Sequence, residues 1–209
     1  NPRDEEIKGF LEIVKAKIIT QEYENNILEG ISEINELRGM ELLEEASASL
    51  ADLISIYPDT PELLILEGEL NFQMGNVEEA KNKFLGLSQK FPGYSQIFSN
   101  IGVVYLNEGN LEKALYYYNK SLEINPDDMV ATLNLADLLV TLNKCEEAEK
   151  LLSSYLNKYP DVEEISFVLE GVKERLSSRD IHTVLTEGLK EVRQLVNEGE
   201  LEIARFAVK

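Results

Sequence analysis

The chain has 209 residues, 44% of them hydrophobic and 28% charged, which suits one or two folded domains or a row of smaller units that each bury little alone. Its 39 acidic against 20 basic side chains leave a net charge of −19, which repels phosphate backbones and anionic membrane surfaces, so nucleic acid is excluded as a partner. No apolar run approaches the roughly 18 residues of a membrane span, and the single Cys145 excludes an internal disulfide, so a cytoplasmic location is expected.

At the N-terminus "NPRDEEIKGF" lacks the apolar core of a signal peptide and begins without Met, while "LEIARFAVK" ends the chain inside an apolar helical pattern. Both features are expected of a piece of a longer polypeptide. Helices are expected over about 4–20 and about 22–38. A regular beat then sets in: Pro58, Pro92, Pro126 and Pro160 are spaced by 34, and Ala46, Ala80, Ala114 and Ala148 keep the same interval. Each of these alanines is followed four residues later by a large apolar side chain, Leu50, Phe84, Tyr118 and Leu152. Gly68, Gly102 and Ala136 form a third series, and Gly75, Gly109 and Asn143 a fourth.

Four series in one phase describe a unit of two antiparallel helices. The small residues let helices approach closely, and Gly75, Gly109 or Asn143 turns the chain in a left-handed conformation. The next helix opens on an acidic first turn, "NVEEA" at 76–80 and "NLEKA" at 110–114, with Asn suited to the N-cap. It ends before the proline, which lacks a backbone donor and disfavours helix in the residue before it.

"FSNIGVVYLNEGNLEKALYYYNKSLEINP", Phe98 to Pro126, resembles a tetratricopeptide repeat. Phe98, Ile101, Gly102 and Tyr105 stand at the spacing W-x2-L-G-x2-Y, followed by Ala114, Tyr118 and Pro126. Units 61–94 and 129–162 match less fully, with Asn71 and Leu139 where the first helix usually has Tyr. Unit 27–60 keeps only its second helix in pattern. The resemblance implies an all-α, right-handed superhelical solenoid of antiparallel helix pairs with divergent ends. Its divisions are N-terminal helices with a degenerate repeat over 1–60, repeats at 61–94, 95–128 and 129–162, and divergent helices over 163–209.

After Pro160 the beat fails, with His182 and Gln194 where alanine and proline are due. "EGLKEVRQL" at 187–195 nevertheless echoes "EGISEINEL" at 29–37, and Ala204 echoes Ala46 at the same offset. That offset exceeds four repeats by about one helix and a connection. Either an extra helix over 163–177 precedes another over about 180–197 and a truncated final one, or "FVLEG" opens a divergent repeat that continues through 197 as one long second helix.

Residues for chemistry are scarce. One His and one Cys exclude a two-His metal site or a Cys cluster, the isolated glycines make no phosphate loop, and neither catalysis nor a cofactor is expected. Cys145 reads as a packing residue at a helix start. In "NKS" at 119–121, a glycosylation sequon in form, Ser121 falls where the repeat calls for a small packed residue.

The resemblance implies binding of a peptide or protein segment on the concave face lined by the first helices. Transferred register names Glu62, Ile65, Glu69, Phe72 and Gln73; then Gln96, Ser99, Asn100, Val103, Leu106 and Asn107; then Val130, Leu133, Asn134, Asp137, Val140 and Thr141. The set is apolar and acidic without Lys or Arg, so an apolar or basic partner segment is expected. It departs from the Lys, Arg and Asn pattern of co-chaperones that clamp a C-terminal carboxylate. Asn100 and Asn134 resemble two rungs of the asparagine ladder in the repeats of O-linked N-acetylglucosamine transferase; the alternative is an Asn bonded to its own neighbours. A second copy of the chain, giving a homo-oligomer, is a further occupant for the apolar positions.

Overall fold

The structure is a computed structural model that describes the backbone of residues 2–197 and the side chains of 20–178, with Thr186, Glu187 and Lys190. Among the described residues all regular structure is helical: α1 Pro2–Gly39, α2 Leu43–Ile56, α3 Pro61–Gln73, α4 Val77–Lys90, α5 Ser95–Asn107, α6 Leu111–Ile124, α7 Met129–Thr141, α8 Cys145–Lys158 and α9 Glu163–Asn197. The chain divides into two compact units, Asn1–Gly109 and Asn110–Lys209.

Helices α2, α4, α6 and α8 each end two residues before a proline of the 34-residue series, as the local chemistry requires. The first helix of each pair is closed by a left-handed residue. Gly75 (φ 84°), Gly109 (φ 75°) and Asn143 (φ 57°) fill the expected place, and Glu41 (φ 62°) fills it one repeat earlier. At three of these turns the two hydrogen bonds of a left-handed helix stop are present: Asn76 N–H donates to the Asn71 carbonyl (2.9 Å) and Gly75 N–H to Phe72 (3.1 Å), as do Leu42 to Leu37 and Lys144 to Leu139 with their neighbours. Such a turn reverses the chain within a few residues and sets consecutive helices side by side. Of the two asparagines suited to capping, Asn110 accepts from the Lys113 N–H (3.1 Å), whereas Asn76 makes no side-chain cap.

In the first unit α1 packs on α2, α2 on α3, α3 on α4 and α4 on α5; in the second α6 packs on α7, α7 on α8 and α8 on α9. The alanines of the repeat are fully buried at these crossings, and Leu50, Phe84, Tyr118 and Leu152 fill the core beside them. Cys145 is buried at the start of α8, and Ser121 is buried in α6.

Both ends differ from the expected helices. α1 runs unbroken through residues 20–22, because "TQEYE" offers no Gly or Pro, and Gln21 Nε2 donates along the helix to Asn25 Oδ1 (3.2 Å). α9 runs unbroken through 177–179, so the boundary between an extra helix over 163–177 and another from about 180 is absent, and the long helix that the other reading expected to reach 197 starts at Glu163 rather than after a first helix. Its two serines do not stop it, since Ser177 and Ser178 donate back to the Lys173 and Glu174 carbonyls at 3.0 and 2.9 Å. The expected truncated final helix lies outside the described residues.

Candidate functional site

Within the first unit, α1, α3 and α5 place Arg38, Glu69, Phe72, Gln73, Asn100 and Val103 around a cleft of about 190 Å³, with the Phe84 ring of α4 at its base. Its centre is the Glu69 carboxylate. One oxygen accepts from Gln96 Nε2 and Asn100 Nδ2, both at 2.9 Å, and the other pairs with Arg38 Nη1 at 3.3 Å. Arg38 in turn donates through Nε to Gln73 Oε1 (2.9 Å) and through Nη1 to Asn35 Oδ1 (3.0 Å). Arg38 and Glu69 are largely withdrawn from solvent, so each holds the other in place and the cleft wall is rigidly wired.

Arg38 is the residue that sequence reasoning missed, and it corrects the expectation of a groove without Lys or Arg. The signal was present: Arg38, Phe72, Leu106 and Val140 are one 34-residue series, and the last three were named. Only the poor match of α1 to the repeat hid the first member.

Two further candidates are corrected. Ile65 on α3 and Ser99 on α5 are buried and present no groove surface, because α3 and α5 pack against each other and against α4. Glu62 is exposed and stands by Tyr94, whose phenol is raised first by burial and then by the Glu62 charge. Phe72, Val103 and Leu106 are half-buried. Asn100 bonds to a neighbouring helix through Glu69, which is the ordinary role set against the ladder.

In the second unit α7 carries Leu133, Asn134 and Val140 half-buried and Asp137 exposed. Behind them Tyr118 is fully buried and its hydroxyl has no hydrogen-bond partner. Burial, and secondarily the Asp137 charge, push this phenol up to about 12. A larger cleft of about 450 Å³ lies elsewhere in the unit, between α6, α7 and α8, with a floor of Leu115, Leu135, Leu139 and Leu151 and a rim that includes Ser154. The named groove residues do not line it. Among the described residues no three His, Cys, Asp or Glu side chains gather to hold a metal ion, and no helix is long and apolar enough to cross a membrane. His182 lies on α9 outside the described side chains.

Residues 95–128 and 131–161 each match the tetratricopeptide repeat family. The chain is a tetratricopeptide repeat protein. Human protein O-mannosyl-transferase TMTC3 is 30% identical over 122 residues, 56% of this tetratricopeptide chain and 13% of that protein. Photosystem I assembly protein Ycf3 of Acaryochloris marina is 36% identical over 85 residues, 41% of this chain and 48% of that protein. The chain thus spans less than half the length of these curated relatives. A tetratricopeptide protein of Thermus thermophilus shares the fold at a TM-score of 0.60 and 19% identity, over 86% of this chain and 97% of that one. The first tetratricopeptide domain of Spaghetti (RPAP3), bound to the HSP90 peptide SRMEEVD, shares it at 0.51 and 20% identity, over 56% of this chain and 95% of that one. The fold is accordingly all-α and of the tetratricopeptide solenoid type.

Proposed function

We propose that this protein is a noncatalytic interaction scaffold that holds an extended segment of a partner protein against its first helices. The observation that carries the reading is the cleft in which Phe72 and Val103 stand beside the wired Glu69 cluster. Half-buried apolar walls beside a fixed polar edge suit an apolar side chain on a peptide whose backbone seeks amide partners, and Asn100 keeps a carbonyl oxygen for that purpose. Glu69 is already paired with Arg38, so local charge adds little to affinity for a basic group. The surplus of 19 negative charges acts at longer range and favours the encounter with a basic segment. A structure of the same fold holding an HSP90 peptide supports the mode of binding, though this groove lacks the basic set expected of a carboxylate clamp.

A peptide-display library selected on the full chain tests this. Val103→Arg lowers binding of the selected peptides at least about tenfold, a loss of about 1.4 kcal/mol, whereas Ser154→Arg, on the rim of the cleft between α6 and α8, retains it. Equal binding by both variants, or loss with Ser154→Arg alone, would count against the first-helix groove.

The likeness to protein O-mannosyl-transferase TMTC3 over about half of this chain favours a second reading, a recruiting arm within a larger enzyme. The complete reading frame decides between them. A frame without a catalytic domain removes the second reading.

A further inference from the structure

The Arg38–Glu69 pair also decides how its neighbours are turned. A guanidinium has donors and no acceptor, and a carboxylate has acceptors and no donor, so each dictates which end of an adjoining amide faces it. Arg38 takes the oxygen ends of Asn35 (Oδ1, 3.0 Å) and Gln73 (Oε1, 2.9 Å). Glu69 takes the nitrogen ends of Gln96 (Nε2, 2.9 Å) and Asn100 (Nδ2, 2.9 Å). Four amides that could otherwise flip are thereby locked. The two beside Arg38 keep their NH2 groups for another acceptor, and the two beside Glu69 keep their carbonyl oxygens for another donor.

Gln73 and Asn100 line the cleft together with Phe72, Val103 and, at its base, Phe84. The cleft therefore has a fixed donor on one edge, a fixed acceptor on another, and apolar walls. Its two charges are spent on each other, which leaves neither for an incoming ionic group. A volume of about 190 Å³ is the share of roughly six waters in the liquid. That is room for one side chain and too little for a stretch of backbone with side chains of its own. A carboxylate entering it would set its oxygens against that of Asn100, and an ammonium would set its protons against the Gln73 NH2, so both are disfavoured. A side-chain carboxamide carries an acceptor and donors on one planar head and meets both edges.

We propose that the cleft is a subsite for a glutamine side chain of the partner segment. Its methylenes lie between Phe72 and Val103, its oxygen accepts from Gln73 Nε2, and its nitrogen donates to Asn100 Oδ1. Arg38 and Glu69 are positioning residues that act through the amides. One, two and three repeats on, Arg38 gives way to Phe72, Leu106 and Val140, so the arrangement belongs to this crossing and not to the repeat. The inference rests on the groove reading above and names the residue that the cleft selects.

The test titrates the full chain with synthetic peptides, capped at both ends and followed by NMR. One has glutamine between two leucines and glutamate at its amino end, and a second has those two residues exchanged, so that composition and charge are the same and the long-range field of the protein drops out of the comparison. A third has alanine in the central place. The peptide with central glutamine binds at least about tenfold tighter than either of the others, and it shifts the side-chain NH2 signal of Gln73. In Glu69→Gln the Asn100 amide is free to turn, and the preference for glutamine over glutamate is lost while the spectrum remains that of a folded chain. An alanine or glutamate peptide that binds as tightly as the glutamine peptide to the natural chain overturns the inference and leaves the groove reading standing, since the cleft would then read a peptide unit or an apolar contact alone. A preference unchanged in Glu69→Gln also overturns it. Absence of binding by all three peptides at millimolar concentration overturns it together with the groove reading.

Discussion

At the scale of single residues, Glu41 and Tyr118 each sit in a place that their chemistry does not favour. Glu41 holds φ 62° where the next two repeats have glycine. A non-glycine residue there costs about 1 to 2 kcal/mol, while glycine returns about 0.5 to 1 kcal/mol through the entropy of the unfolded chain. Glu41→Gly is therefore expected to raise stability by up to about 1 kcal/mol, read as a higher midpoint in urea; a lower midpoint would show that the Glu41 side chain makes a stabilising contact of its own. Tyr118 buries a hydroxyl without a partner. Tyr118→Phe removes that unsatisfied group and is expected to be neutral or stabilising by up to about 1 kcal/mol near pH 7. The same residue sets an alkaline limit. Its folded pKa, pushed up to about 12, exceeds the unfolded value of 10.0, so its contribution is full below pH 10 and is lost as pH rises through 12, by about 2 to 3 kcal/mol. Unfolding midpoints across that range fall less steeply in Tyr118→Phe than in the natural chain; parallel slopes would refute the assignment.

At the scale of elements, helix crossings are set by paired volumes. A Cβ on Gly68 would lie 2.6 Å from Phe84 Cε1 and 2.7 Å from Cζ, and the Phe84 ring is buried and has little room to yield. One repeat earlier the corresponding residues are Ile34 and Leu50, in the same core cluster, and two repeats later Ala136 and Leu152. Glycine thus accompanies the aromatic ring, and larger residues accompany leucine. Gly68→Ala is expected to cost about 1 to 3 kcal/mol by overpacking, and Phe84→Leu in the same chain to return part of it. Additive losses in the double variant, measured by thermal unfolding, would mean that the two positions do not share this volume. This periodic packing made the middle of the fold legible: the prolines, alanines and left-handed turns all recur at one interval and mark α2 to α8. The long end helices were not legible, because the two-helix period of the repeat was carried into both ends, where no Gly or Pro marks a break at 20–22 or at 177–179. The site was half legible for the same reason. Phe72, Asn100 and Val103 follow from the repeat, whereas Arg38 belongs to a helix that does not look like one, and the inward turn of Ile65 and Ser99 depends on how closely neighbouring helices approach.

At the scale of the whole molecule the dominant quantity is charge. The ion pairs follow the repeat: Lys90 meets Asp59 at 2.7 Å, and 68 positions later Lys158 meets Asp127, while the intervening repeat has Gly93 and Ile124 in their places and forgoes the pair. The loss of both partners together marks a surface contact that can be dispensed with. Exposed pairs of this kind contribute about 0 to 1 kcal/mol each and are weakened by salt. Against them stands an excess of 19 negative charges, whose mutual repulsion acts over a Debye length that shrinks from about 30 Å at 0.01 M salt to about 3 Å at 1 M. Repulsion involves every unpaired carboxylate and the pairs only a few, so screening relieves more than it removes. The thermal midpoint at pH 7 is expected to rise across that salt range, and the rise to shrink or reverse near pH 4, where protonated carboxylates no longer repel. A midpoint that falls with salt at pH 7 would mean instead that the repeat-phase ion pairs outweigh the repulsion, and that Lys90 and Lys158 stabilise the fold well beyond what exposed contacts ordinarily do.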